Sequence, residues 1–280
     1  MIDPADPQQL GELLRRHRIT LQHRFGQNFL VDPQLRDAVA EAARLQSTDE
    51  VLEVGAGVGS LTIALAPRCR RVVAVELDRR LLPALREVIA GHDNVEVVQG
   101  DILRFAVEAS FPDGGEVVAG NIPYNLTGGL TRKLLDRPPR PRLLSLVVQK
   151  EVAERWAATS SASLATVAVQ VFAKPEVVMT IPAEAFTPIP KVDSALVRLE
   201  VREKPAVDVD PERFFRFVEA VFQFRRKQLG GTVARVASLS GAEAAHRLTE
   251  LGIDPARRPQ TLTLAQWEVV FRAFNPSTDR

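Results

Sequence analysis

"VLEVGAGVGSLTIALA", residues 51–66, opens on a short apolar run, turns through Gly55, Gly57 and Gly59, and continues with apolar residues at helical spacing. Strand, glycine-rich turn and helix in that order form one βα unit, because glycine lets the backbone approach a ligand and points a helix N-terminus at it. The rhythm repeats downstream. "RVVAVELD" and "RRLLPALREVIA" are the next strand and helix, "NVEVVQGDI" a third strand, "EVVAGN" a fourth, and "TGGLTRKLLD" a helix. Past the break "RPPRPR", "LLSLVVQ" is a fifth strand. "LATVAVQVFA" and "SALVRLEV" read as two more, with the loop "IPAEAFTPIPKVD" between them. Strands alternating with helices predict an α/β fold: a mostly parallel seven-stranded sheet with helices on both faces.

Outside this block the periodicity is helical. "PQLRDAVAEAAR", residues 33–44, carries a proline in the first turn of an expected helix. From about residue 207, "DVDPERFFRFVEAVFQFRRKQL", "GAEAAHRLTELG" and "TLAQWEVVFRAF" contain no convincing strand. We therefore expect an α/β domain over residues 1–204, including an N-terminal arm over 1–32, and a small all-helical domain over 205–280. Internal repeats and low-complexity segments are absent.

A chain of 280 residues, 45% hydrophobic and 25% charged, has room for one large core and a smaller appendage. No 18-residue apolar run is present, and "MIDPADPQQL" is not a signal peptide, so a cytoplasmic location away from membranes is expected. A lone Cys69 excludes an internal disulfide, and four scattered histidines offer no ligand spacing, so no metal is expected. Net charge is only +1, yet six of the 36 basic residues are lysine and the other 30 are arginine. The arginines cluster: Arg15, Arg16, Arg18 and Arg24 early, Arg225 and Arg226 beside Lys227 late. Such clusters suit phosphate, although arginine enrichment also has compositional causes.

The glycine turn by itself is a weak signal. A dinucleotide dehydrogenase shows a similar turn and an acid such as Glu76 about one βα unit later to bind ribose hydroxyls. The discriminating feature is the succession of polar strand ends, Glu76, Asp101 in "GDI" and Asn121 in "GNIPYN", spaced 21, 25 and 20 residues from Gly55 onward. Each interval is about one βα unit, so all four positions fall on the carboxyl edge of the sheet, where open α/β folds bind ligands. A carboxylate for ribose, a polar group for the adenine edge and an amide beside the reactive end form a cradle for S-adenosylmethionine. Hydride transfer has no use for Asn-Ile-Pro-Tyr at that edge.

The motif suits an exocyclic adenine amine. Its lone pair is delocalised into the ring, so acceptors must recover it for attack on a sulfonium methyl. The Asn121 side-chain oxygen and the Ile122 carbonyl can accept the amine N–H groups, Pro123 fixes that carbonyl, and Tyr124 offers a face for a flipped base. No strong general base is needed, because the proton becomes acidic only after alkylation. Catalysis then rests on proximity and preorganised dipoles. The bland alternatives are a tight strand–helix turn, a solvated Glu76, a capping Asp101 and a Tyr124 that merely plugs the core.

Eight ordered stretches carry a resemblance over essentially the whole chain: "RFGQNFL" (24–30), "VLEVGAGVGSLT" (51–62), "VVAVELD" (72–78), "GDIL" (100–103), "GNIPYN" (120–125), "LVVQKEVAERW" (146–156), "AFTPIPKVDSALVRL" (185–199) and "FRRKQL" (224–229). The sequence resembles the small-subunit ribosomal RNA adenine N6,N6-dimethyltransferases of the kasugamycin-sensitivity type. That resemblance implies a Rossmann-like methyltransferase fold, S-adenosylmethionine as methyl donor with S-adenosylhomocysteine as product, and two adjacent dimethylated adenosines near the 3′ end of 16S RNA. The partner it implies is 16S RNA in an immature small subunit, and the protein is expected to be a monomer. Asn28 and Leu30 would close over the donor's methionine and ribose, Gly55 and Gly57 would line its pocket, and Glu76 would bind the ribose hydroxyls. Leu77 would pack on the adenine, with Asp101 and Ile102 at its edge. Asn121 would touch both donor and target amine, with Ile122 and Pro123 completing the catalytic motif, and Tyr124 and Phe186 would sandwich the target base; Phe186 sits on a proline-stiffened loop, and a core phenylalanine is its competing account.

Arg225, Arg226 and Lys227 would grip RNA backbone, with Arg24, Lys150, Arg155 and Lys191 extending the path; a solvated helix face is the competing account. Two departures stand out: "SASLATVAVQ" where relatives usually carry Tyr-Gly-Arg-Leu, and Phe224 where a polar residue is common. Both bear on RNA docking only. "RFGQNFL" and "FTPIPKVDSALVRL" favour the small-subunit type over the erythromycin-resistance type that modifies large-subunit RNA. The intact Asn121–Tyr124 motif argues against a non-catalytic assembly or transcription factor of the same fold.

Overall fold

The computed structural model describes residues 2–21, 27–136, 138–160 and 163–275. Its strands are β1 (Phe29–Leu30), β2 (Glu50–Val54), β3 (Arg71–Glu76), β4 (Val95–Gln99), β5 (Val117–Asn121), β6 (Leu143–Gln149), β7 (Ala173–Ile181), β8 (Phe186–Thr187) and β9 (Ser194–Val201). Seven form one sheet in the order β4-β3-β2-β5-β6-β9-β7. β4 through β6 run parallel and β9 is antiparallel to β6, as expected of a mostly parallel Rossmann-like sheet. The Val- and Leu-rich strands β2, β3, β5 and β6 are buried almost throughout, as helices on both faces require. β3 lies on one side of β2 and β5 on the other, so the strand order reverses there and opens a crevice at the carboxyl ends.

The helices are α1 (Pro7–Arg16), α2 (Pro33–Ala42), α3 (Ser60–Leu65), α4 (Leu82–Val88), α5 (Val107–Ser110), α6 (Thr127–Leu135), α7 (Lys150–Ala157), α8 (Leu164–Phe172), α9 (Pro211–Phe222), α10 (Leu229–Ala237), α11 (Gly241–Glu250) and α12 (Leu264–Phe274). None is long and apolar enough to cross a membrane among the described residues. Asp6 caps α1 by accepting from the Gln8 and Gln9 N–H groups, and Leu10 and Leu13 join the core that Val51, Val72, Val117 and Leu85 also build. Asp3 pairs with Arg36 of α2 at 2.5 Å, while Arg16 and His17 pair with Glu87 of α4. The N-terminal arm is thus fastened by burial and charge.

Two expectations need correction. "LATVAVQVFA" is not a strand: it forms α8, started by Ser163, whose hydroxyl accepts from the Thr166 N–H. A short, mostly buried Val-rich run reads alike as strand or helix; six of the nine residues of α8 are buried. The seventh strand is instead "AKPEVVMTI", with Pro175 tolerated because β7 is an edge. Second, the boundary at 204/205 is not a single cut. Residues 1–154 and 174–201 form one compact unit, and residues 155–173 join 202–280 in the other, because α8 packs into the helical unit. There Phe172 stacks on Phe215 at 5.5 Å, Phe271 meets Phe214 and Phe217 edge-on, and Phe222 stacks on Trp267 at 5.4 Å. Each such pair adds about 0.5–1.5 kcal/mol beyond its burial. Asp210 caps α9, and a Thr263–Gln266 capping box starts α12.

Candidate active site

Gly55, Gly57 and Gly59 adopt φ of 72°, 60° and 93°, the left-handed region in which a side chain is strained. Space adds a second reason at Gly57, where a Cβ would lie 2.9 Å from Phe29 Cε1; the absence of a side chain lets β1 close over the turn. A Cβ on Gly55 would stand 3.7 Å from the Asn121 carbonyl and 4.0 Å from Pro123 Cδ. The glycine turn and the Asn-Ile-Pro-Tyr motif therefore abut. Gly120 just before the motif is required as well, because a Cβ there would collide with the Val54 carbonyl of β2.

Between these elements lies a cleft enclosing about 1220 Å³ of empty space including its mouth. Asn28 and Leu30 line it from the N-terminal arm, Gly55 and Gly57 from the turn, Glu76 and Leu77 from the end of β3, Asp101 and Ile102 from the end of β4, and Asn121 from β5. The nine residues expected around a donor are thus brought to one cavity. Leu77 is 48% exposed, an apolar side chain left open on the wall where a flat ring can rest.

The Glu76 carboxylate is 7% exposed and accepts from the Gly57 N–H at 2.8 Å and the Asp78 N–H at 2.7 Å. Burial raises its pKa, and these amide donors oppose the rise. Asp78 behaves oppositely: the Arg80 guanidinium lowers its pKa, and its Oδ2 accepts from Gln27 Nε2 at 2.8 Å, tying the arm to the end of β3. Asp101 accepts from the Leu103 N–H at 2.9 Å, so it caps its own turn while facing the cleft.

Asn121 donates from Nδ2 to the Asn28 carbonyl at 2.7 Å. A carbonyl only accepts, so the amide nitrogen must face it, and Oδ1 is turned the other way, available as an acceptor. Ile122 is 1% exposed, its N–H donates to the Val147 carbonyl, and its side chain anchors the motif in the core. Tyr124 is half-buried, with its hydroxyl 3.1 Å from Ser194 Oγ. That hydroxyl contact fixes the position of the ring's outer end.

Phe186 is a correction. It is 1% exposed and packs with Leu30, Val39, Val147, Ile181 and Leu196, paired through β8 to Leu30 of β1. Its ring presents no face to the opening, because a strand pair holds it in the core. Arg24 lies outside the described residues. Lys150 and Lys191 share one surface hollow, but Glu151, Glu154 and Glu184 line it too, so it is not a uniformly basic path. Arg155 is half-buried in the helical unit. Arg225, Arg226 and Lys227 are exposed in the α9–α10 turn, and exposed Arg235 of α10 lies over the Phe224 ring at 4.7 Å.

Cleft residues that were not anticipated include Glu53, Arg36 and Ser60. Glu53 of β2 is 1% exposed, accepts from Thr62 Oγ1 at 2.6 Å, and is pushed up to about 7 by burial, against the effect of that hydrogen bond. An acid interrupting "VLEV" was the signal for it. Arg36 and Ser60 also line the cleft; Ser60 directly follows the glycine turn, while nothing in the local sequence marks Arg36.

A Rossmann-like sheet whose switch-point cleft joins a glycine turn, an acid on the next strand end and an Asn-Ile-Pro-Tyr rim defines a methyltransferase. The sequence model of the ribosomal RNA adenine dimethylases matches residues 18–275. A protein of Pelotomaculum thermopropionicum called ribosomal RNA small subunit methyltransferase A is 42% identical, with 98% of each chain covered. One of Bacillus mycoides with the same name is 37% identical at the same coverage. Among solved structures, the 23S rRNA methyltransferase ErmE superposes with a TM-score of 0.71 at 30% identity, covering 89% of this chain and all of that one. A dimethyladenosine transferase from Plasmodium falciparum gives 0.70 at 26% identity, covering 87% and 96%. The chain belongs to the ribosomal RNA adenine dimethylase family.

Proposed function

We propose that the protein transfers methyl groups from S-adenosylmethionine to the N6 amines of two adjacent adenosines near the 3′ end of 16S RNA, in the cytoplasm, on an immature small ribosomal subunit. The observation that carries this proposal is the oriented Asn121 amide at the rim of the cleft beside the glycine turn. The donor fits the residues present: the bare Gly55–Gly57 cradle admits its backbone-hugging part, Glu76 suits ribose hydroxyls, and open Leu77 suits the adenine ring. When bound, it supplies an electrophilic methyl on a sulfonium.

The chain's own residues do the rest. Asn121 Oδ1 and the Ile122 carbonyl accept the N–H groups of a flipped adenine, which localises the nitrogen lone pair toward the methyl. Tyr124, its outer end held by the Ser194 contact, supports the base from one side. A carbon–sulfur bond breaks as a carbon–nitrogen bond forms, the sulfur keeps its electron pair, and the amine then loses a proton to solvent. A second round on the same nitrogen gives the dimethylated base. Exposed Arg225, Arg226 and Lys227 hold RNA backbone from the helical unit.

Identity favours the small-subunit substrate: 42% over the whole chain with the small-subunit relative, against 30% with ErmE. Labelled methyl transfer to under-methylated small subunits and to large-subunit RNA tests the choice. Label in the former alone is expected; label in the latter alone would refute it.

A further inference from the structure

Buried polar side-chain atoms nearly always have a hydrogen-bond partner, and an exception calls for an explanation. In the α/β unit Ser60 is such an exception. It follows Gly59 as the first residue of α3, lines the cleft, and its Oγ is buried with no partner. Neither helix capping nor core packing uses that hydroxyl. Its neighbours on the wall are informative: Arg36 and the carboxyl of Glu53 line the same cavity. Thr62, two residues along α3, already satisfies one oxygen of Glu53.

The ligand end that matches this wall is an amino acid's paired charges. Glu76, Leu77, Asp101 and Ile102 gather at the ends of β3 and β4 and suit ribose and adenine, which leaves the Ser60 wall for the donor's methionine tail. Glu53, an acceptor, complements the α-ammonium. Ser60, carrying a hydroxyl donor with no acceptor, complements the α-carboxylate; Arg36 lines the same wall with its guanidinium already paired to Asp3 and Asp37, which leaves the Ser60 hydroxyl as the donor not yet used. We propose that Ser60 is a specificity-determining residue: its hydroxyl donates to the α-carboxylate of the methyl donor and selects for a ligand bearing an intact amino-acid tail. The inference rests on the proposed donor site and assigns one of its contacts.

The chemistry yields a test that separates the two. Ser60→Ala removes a hydroxyl that has no partner in the unliganded protein, so the melting temperature of the variant is expected to match the parent. Calorimetry on both proteins then uses four ligands: S-adenosylmethionine, S-adenosylhomocysteine, decarboxylated S-adenosylmethionine and 5′-methylthioadenosine. A hydrogen bond to a charged group predicts that the variant binds the first two roughly tenfold more weakly. Binding of the last two, which lack the carboxylate, is expected to be unchanged. Equal weakening of decarboxylated S-adenosylmethionine would put the hydroxyl on the ammonium and overturn the assignment. Weakening of all four, or of none, would overturn it as well. Failure of the parent protein to bind S-adenosylmethionine would instead refute the donor site itself.

Discussion

Asn121 is oriented by its Nδ2 bond to the Asn28 carbonyl, the one side-chain hydrogen bond it makes among the described residues, so its chemistry can be separated from its fold. Asn121→Ala is expected to lower kcat at least 100-fold, as loss of an oriented dipole does elsewhere, with little change in melting temperature. Asn121→Asp sharpens the point. It keeps an acceptor but sets a carboxylate against the Asn28 carbonyl, so the side chain turns and single-turnover methyl transfer falls to a similar degree. Glu53 gives a prediction with a sign. Its folded pKa of about 7 lies above the ordinary 4.5, so between those values the folded state holds more protons than the unfolded state. The stability Glu53 contributes is fully present below about pH 4.5 and is lost as pH rises to about 7. Glu53→Gln, which keeps an acceptor for Thr62, is expected to flatten that slope and to stabilise the protein at pH 8 by up to about 3 kcal/mol. Urea melts at pH 5 and pH 8 check this; a slope unchanged in the variant would place the titration elsewhere. Cys69, raised to about 11 by burial, is expected to resist thiol reagents at pH 8 until the chain unfolds.

Among the elements, β5 shows how a strand can carry a motif. It ends on Gly120, where a Cβ would strike β2, and Asn121, and the buried Ile122 follows directly. Gly120→Ala is expected to cost at least about 1–3 kcal/mol by overpacking, read as a drop of several degrees in melting temperature. A variant as stable as the parent would show that the two strands can part. The strands of the parallel block were legible in sequence because each is a short Val- and Leu-rich run closed by a turn, and a polar residue at each strand end announced the edge that binds ligand. The exceptions have physical causes. In "LATVAVQVFA" the valine content read as strand, although Thr166 and Gln170 interrupt it at the helical spacing of four and Ser163 caps it. Phe186 stood in a proline-stiffened loop, and nothing local reveals that Phe29–Leu30, about 157 residues earlier, pairs with it and buries the ring. Arg36 reaches the cleft through tertiary packing that no short motif encodes, whereas Ser60 sits directly after the glycine turn.

For the whole molecule, a net charge of +1 hides a division of labour. The α/β unit consumes arginines in ion pairs, such as Arg36 with Asp3, Arg71 with Glu96, Arg142 with Asp49 and Arg198 with Glu176. The helical unit leaves Arg225, Arg226 and Lys227 exposed. Replacing all three by alanine is expected to weaken binding to small subunits and to reduce the slope of log affinity against log salt by about two, while donor affinity stays unchanged. An unaltered salt slope would assign the cluster to solvent. The central claim, that this cleft dimethylates adenine N6 in small-subunit RNA, is tested most directly by mapping the product. Purified protein and S-adenosylmethionine are added to small subunits from a strain lacking the modification, and mass spectrometry locates the added methyl groups. Two neighbouring adenosines near the 3′ end of 16S RNA, each gaining two methyl groups on N6, are expected; methyl groups on any other base or position, or none, would contradict the claim.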